Sequence, residues 1–342
     1  MSTEAAATGL TVAILGATGA VGRDLLSALE KSPFPIRELR LLASRRSEDT
    51  ELSYDGRSLR VGTVRTSRDP ALMGVDLAFF ATPADVTRGL APALAGRGVA
   101  VVDIGGALAD QAQLVVPAIG LPDLSRWDQL PLVCTPSAPG AALATVLMPL
   151  REIGLIGVRG TGLLSAGVAG QAGIDELSAS VVAMLNSQTP PRKVFPTGLA
   201  FDLVSPVGAG EAQRWSDAEQ RLSEEVAALV EIPAAQVAVS LALVPLFAGL
   251  ALSLHLSFDG EVSVSDVLAA FEGAEGVRLG DPVPGPRRLS GKAGVYVGRV
   301  RADPADQGIH LWACADNLRF GASGVAVQVA AALWREGRVG PS

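Results

Sequence analysis

The chain has 342 residues, enough for about two domains, and 49% are hydrophobic against 18% charged. That composition fills a large core and excludes a disordered or fibrous protein. Lys and Arg total 28 and Asp and Glu 35, for a net charge of −7. With no basic block, nucleic acid and anionic membrane surfaces are not expected partners.

In chain order, Leu10–Leu15 reads as a short buried strand, Val21–Lys31 as a helix and Leu39–Ala43 as a second strand. Val75–Ala81 and Val99–Asp103 follow as strands, with a helix over Ala84–Gly96 between them. Val133 opens a further strand, and Ala141–Ile153 is apolar on most faces, as a buried helix would be. Strands alternating with helices predict a parallel, doubly wound sheet. Beyond about Ile156 the texture changes to Gly-rich strands over Gly157–Ala172, a helix over Ile174–Leu185 and a Pro-containing loop over Thr189–Gly198. A polar helix is expected over Glu211–Val230.

The uncharged run Ile232–Phe258 is long enough for a membrane span, but Pro233, Pro245 and Gly249 punctuate it. Two buried strands joined near Pro245–Gly249 account for it. A Pro/Gly-rich segment, Asp281–Gly291, precedes a last Ala-rich helix over Gly321–Arg335. That helix is expected to pack back on the first domain.

Gly16-Ala17-Thr18-Gly19-Ala20-Val21-Gly22 lies directly between the first strand and the first helix. The glycines follow the G-x-x-G-x-x-G variant of the dinucleotide fingerprint. The chemistry needs a tight turn, close backbone approach to a pyrophosphate, and helix N-terminal N–H groups facing that anion. At the end of the second strand an NAD-selective site places an acid for the ribose hydroxyls. Here the residues are Ser44-Arg45-Arg46, with no acid before Glu48. A hydroxyl and two guanidiniums suit a 2′-phosphate, so NADP is expected ahead of NAD. A solvated charged loop would use the same residues.

Two cysteines, Cys134 and Cys314, and two histidines, His255 and His310, exclude a disulfide scaffold and weigh against a Cys/His zinc site. No metal is expected. Cys134 and Cys314 read as small buried hydrophobes, and His255 and His310, on apolar runs, as structural histidines. Met1–Leu10 has no positive residue and no apolar run, so no secretory signal is read there and a cytoplasmic location is expected.

Several landmarks occur in one order: Gly16–Gly22, Leu42-Ala43-Ser44-Arg45-Arg46, Val101-Val102-Asp103, Val116-Pro117, Gly170-Gln171-Ala172-Gly173 before Glu176-Leu177, Phe195-Pro196, Ala200-Phe201, Val244-Pro245 and Asp316-Asn317-Leu318-Arg319. Together they resemble the aspartate-semialdehyde dehydrogenase family over essentially the whole chain, nearest its divergent Usg-type branch. The resemblance implies an α/β chain. It would have a Rossmann-like NADP-binding domain over 1–134, an α+β dimerisation and substrate-type domain over 135–316, and a helix returning over 317–342. It implies a homodimer, and a cofactor site built from Gly16, Thr18, Gly19, Ala20, Val21, Gly22, Ser44, Arg45, Arg46 and Asn317.

The family reduces an acyl phosphate to an aldehyde with NADPH through a thioester. It uses a thiolate nucleophile, a His acid/base, a Gln, an Arg for the substrate carboxylate and an Arg for phosphate. The nucleophile's Asn-Pro-Asn-Cys turn corresponds to Thr135-Pro136-Ser137-Ala138 here, which puts Ala138 at the thiolate position. The Gln position falls on Leu164, the carboxylate-binding Arg on Leu243, the His on Leu250 and the phosphate-binding Arg on Leu108. The resemblance therefore implies a binding or scaffolding protein without the parent activity, with a protein partner or a small apolar ligand left open. The rival reading is an active NADP-dependent oxidoreductase on another substrate through Cys134 or Ser137. Arg214, Arg221 and Glu225 fall on the polar helix where the family keeps substrate-side charge; an i, i+4 pair on a solvated face is the plainer account of Arg221 and Glu225.

Overall fold

The structure is a computed structural model, and it describes residues 9–32, 34–48, 50–121, 131–210, 213–280, 282, 284–305, 308–317 and 322–341. The chain divides into two compact units, Met1–Pro136 with Ala322–Ser342, and Ser137–Gly321.

In the first unit the strands are β1 (Leu10–Leu15), β2 (Ile36–Ala43), β3 (Glu51–Tyr54), β4 (Arg57–Thr63), β5 (Leu77–Phe80), β6 (Ala100–Asp103), β7 (Gln113–Leu114) and β8 (Leu132–Cys134). They form one sheet in the order β3-β4-β2-β1-β5-β6-β8-β7. Every described pairing is parallel except that of β3 with β4. All six residues of β1 and all four of β5 are buried, as a central parallel strand covered on both faces requires. Helix α1 (Ala20–Glu30) turns Leu25, Leu26 and Leu29 inward, and α2 (Ala84–Ala95) buries Thr87, Ala91, Leu94 and Ala95. The carboxy-terminal helix, Ala322–Arg335, packs on α1, where the Ser323 hydroxyl donates to the Val21 carbonyl at 3.1 Å. The β3–β4 hairpin interrupts the expected strand–helix alternation; each of its strands buries a single residue, so it left only a weak signal in the sequence.

The second unit holds α3 (Ala138–Leu147), β9 (Leu155–Leu164), α4 (Gly170–Leu185), α5 (Asp217–Val230), β10 (Val237–Leu243), β11 (Leu250–Phe258), α6 (Val264–Phe271), β12 (Val277–Leu279), β13 (Val295–Ala302) and β14 (Ile309–Ala315). Its mixed six-stranded sheet runs β10-β9-β11-β14-β13-β12. The uncharged run indeed folds as two strands, β10 and β11, and no helix among the described residues is long and apolar enough to cross a membrane. In α3 every residue from Gly140 to Leu147 is buried, and the Thr145 hydroxyl is satisfied by the Ala141 carbonyl at 2.8 Å.

Three expected boundaries shift. Gly157–Ala172 holds a single strand, β9, because Gly170 (φ +66°) opens α4 instead. The helix expected from Ala141 begins at Ala138 and tightens to a 3-10 turn at Met148. The polar helix begins at Asp217, where Ser216 and Glu219 form a reciprocal capping box, so Arg214 lies in the preceding turn and not on the helix.

Candidate functional site

The Gly16–Gly22 turn is built as its spacing demands. Gly16 has φ +86°, and a Cβ there would collide with the Ala81 carbonyl oxygen. A Cβ at Gly22 would collide with the Gly16 carbonyl oxygen and lie 2.7 Å from Ala17 Cα. The Gly16 and Ala17 N–H groups both donate to the Leu42 carbonyl, at 2.8 and 3.1 Å, which ties the turn to the end of β2. Helix α1 then starts on Gly19 with no side-chain cap and no acid in its first turn. Its first N–H groups have no intrahelical acceptor, so that end is open to an anion.

Ser44, Arg45 and Arg46 are exposed immediately after β2, and Arg45–Ser47 form a short 3-10 turn. Ser47 is a residue the sequence reading missed. Thr18 Oγ1 donates to Ser47 Oγ at 3.0 Å, which fastens this turn to the glycine turn.

Asp103 closes β6 and is fully buried. Its carboxylate accepts the Gly105 N–H at 3.0 Å and the Leu108 N–H at 2.9 Å, while the Leu108 side chain is in the core. Cys134 is also fully buried, with Sγ 3.5 Å from Asp103 Oδ2. Cys314 lies in the core of the second unit, where burial pushes its thiol up to about 11, partly offset by the Trp312 Nε1–H donated to its sulfur at 3.0 Å.

Ser137 is the N-cap of α3, accepting the Gly140 N–H at 3.2 Å. Its own hydroxyl donates to Glu225 Oε2 at 2.5 Å, and its N–H reaches both Glu225 oxygens at 2.9 and 3.0 Å. A Cβ at Gly140 would collide with that carboxylate. The Glu225 side chain is only 4% exposed, with Arg221 Nε 2.7 Å from Oε1. The i, i+4 pair therefore exists with Arg221 on the solvated side, 43% exposed, and Glu225 turned inward: Arg221 holds a buried carboxylate that clamps the turn before Ala138.

Leu164, Leu243 and Leu250 come together. Leu243 pairs with Leu164 between β10 and β9, and Leu164 with Leu250 between β9 and β11. Three adjacent strands thus end in one row of leucines, 7%, 5% and 1% exposed. In-register partners share a face of the sheet. Asn317 falls in the second unit, buried, with Oδ1 accepting the Gly249 N–H at 2.5 Å. Its side chain thus holds the loop that precedes Leu250; Leu318 and Arg319 lie outside the described residues.

Residues 11–126 match the semialdehyde dehydrogenase NAD binding domain and residues 147–320 the semialdehyde dehydrogenase dimerisation domain. The chain belongs to the semialdehyde dehydrogenase family. Among curated relatives, a USG-1 protein homolog of Azotobacter vinelandii is 34% identical, covering 96% of this chain and 99% of that protein. The aspartate-semialdehyde dehydrogenase of Bacillus subtilis is 30% identical, covering 95% and 97%. Among solved structures, aspartate semialdehyde dehydrogenase II of Vibrio cholerae, complexed with ASA, has a TM-score of 0.88 at 30% identity and covers 96% of this chain and 99% of its own.

Other family landmarks resolve into scaffolding. The Glu176 carboxylate accepts the N–H groups of Lys193, Val194 and Phe195 at 2.7, 2.7 and 2.8 Å, so two distant sequence blocks are one structural unit. Burial pushes that carboxyl up, and the three backbone donors with the Lys193 charge outweigh it, leaving it below its ordinary value of 4.5.

Proposed function

We propose that this protein is a Usg-type, NADP-binding homodimer of the semialdehyde dehydrogenase family that has given up the parent reaction and acts by binding. The leucine row carries this reading. If the family positions for Gln, Arg and His are Leu164, Leu243 and Leu250, one buried row has exchanged all its polar groups for methyl-bearing carbons. Such a row offers no base for a thiol proton and no cation for a carboxylate, and an unpaired carboxylate pays a desolvation penalty there. Ala138 at the nucleophile position cannot form the thioester.

The candidate replacements are engaged elsewhere. Cys134 is buried beside Asp103, and the Ser137 hydroxyl is spent on Glu225 while it caps α3. What remains suited to a ligand is the Gly16–Gly22 turn with its open helix end. There the α1 N–H groups would hold the pyrophosphate, and Ser44, Arg45 and Arg46 a 2′-phosphate. Bound NADP would supply hydride chemistry, for which this chain presents no acyl-transfer partner. The apolar row favours a less polar ligand or a protein partner in the second unit, and the reading places the protein in the cytoplasm.

The test is calorimetric titration with NADP and, separately, NAD, beside an assay of semialdehyde oxidation in phosphate. NADP binding tighter than NAD, with no turnover, is expected. Turnover at the rate of an ordinary family enzyme would overturn the proposal.

A further inference from the structure

We propose that His255, Asp303 and His310 form a binding site for a divalent transition metal of the zinc class, on the second unit's sheet and away from the leucine row. The chain's two histidines stand directly opposite one another on the antiparallel strands β11 and β14. Their ring centroids are 4.8 Å apart and the rings are inclined at 64°. The chain leaving β13 brings Asp303 to the same place, and the Asp303 N–H donates to the Gly308 carbonyl at 2.9 Å. Asp303 Oδ2 is hydrogen-bonded to His310 Nε2 at 2.9 Å, a bond that a metal ion would replace, and lies 3.2 Å from His255 Nε2. Those separations approach the edge of a tetrahedron, about 3.3 Å for metal bonds of about 2.0 Å. One ligand atom from each residue lies within 4.8 Å of the other two.

A second observation points the same way. His255 Nε2 is buried and makes no hydrogen bond to any described residue; its contact with Asp303 Oδ2 at 3.2 Å is an approach of charges only. Buried polar nitrogens are normally satisfied, and a metal would use this one's lone pair. The local backbone also makes room for it: a Cβ at Gly308 would collide with His255 Nε2. The side chains of His255, Asp303 and His310 are 18%, 17% and 32% exposed, so the cluster is part-buried, with His255 Nε2 itself on its inner side.

Two neutral imidazoles and one carboxylate suit zinc, cobalt, nickel or copper; magnesium and calcium prefer all-oxygen shells. Three protein ligands leave a fourth position to water. Arg159, opposite His255 on β9, and Arg301, opposite His310 on β13, oppose the cation's charge. Affinity below that of a four-ligand structural zinc site follows.

The experiment titrates the metal-free, full-length protein with Zn2+ by calorimetry and with Co2+ by visible absorption at about pH 7.5, and follows the histidine ring resonances. One equivalent per chain is expected, with cobalt ligand-field bands and both ring signals moving together; two histidines make that spectrum simple to read. His310→Gln and His255→Ala should each weaken binding by more than about tenfold. Excess chelator should remove the ion and return both ring signals to their metal-free positions. Absence of uptake by the folded wild-type chain overturns the proposal, as does unchanged affinity in a variant shown by circular dichroism to be folded. Should a variant fold poorly, the wild-type ring resonances decide: signals unmoved at one equivalent also overturn it.

Discussion

Two strand-to-helix turns in this chain have the same local plan and opposite terminations. The turn into α1 begins on a glycine, carries no side-chain cap and has no acid in its first helical turn. The turn into α3 is capped by Ser137, and the Glu225 carboxylate closes on both the Ser137 N–H and its hydroxyl. A helix N-terminus attracts negative charge wherever its N–H groups lack partners. In the first unit no side chain caps that end and no acid stands in its first turn, and in the second a side chain of the protein closes on the turn. Within one chain, then, readiness for an anion can be kept at one helix end and extinguished at another by a single carboxylate on a neighbouring helix.

The contrast can be broken most forcefully at the leucine row. Leu243→Arg places a charge at a site 7% exposed with leucine neighbours, and should cost about 4 kcal/mol in denaturant unfolding. A loss under about 1 kcal/mol would mean that the row opens to water. Glu176→Ala should cost about 3 kcal/mol, because it strands three backbone N–H groups. Its pH dependence has a definite sign. The folded carboxyl titrates below 4.5, so its stabilisation is complete above that value and is lost as pH falls through the lower folded one. The gap between wild type and Glu176→Ala should therefore shrink only in acid, measured by thermal unfolding from about pH 6 to pH 3.

At the open turn, Gly22→Ala forces a methyl against the Gly16 carbonyl and should weaken NADP binding by about 2 kcal/mol in calorimetry. Smallest of all, Arg45→Ala and Arg46→Ala should each cost about 1 kcal/mol toward NADP and nothing toward NAD, since both guanidiniums are exposed. Equal losses toward both cofactors would deny the pair its selector role.

The doubly wound first unit was legible because buried parallel strands are continuous apolar runs, as β1 and β5 are. The uncharged run over β10 and β11 was legible from its lack of charge and its break at Pro245–Gly249, although β11 is antiparallel to both its neighbours. The clamp on Ser137 was not. Arg221 and Glu225 carry an i, i+4 spacing that fits a solvated helix face equally well, and only the packing of α5 on α3 buries the carboxylate. Likewise the leucine positions can be read singly from the sequence, but their meeting in one row depends on the strand order β10-β9-β11, which no local pattern encodes. The two histidines, each unremarkable on its own strand, face each other only through the β11–β14 register.

That row also bears on ancestry. Groups that touch one another do not contribute independently, and a lone Gln, Arg or His among leucines is a buried polar group without partners. Each single replacement of a leucine by such a group would lower stability before any two could pair. The row therefore acts as a ratchet: three packed leucines offer no gentle stepwise path to a mutually satisfied polar set.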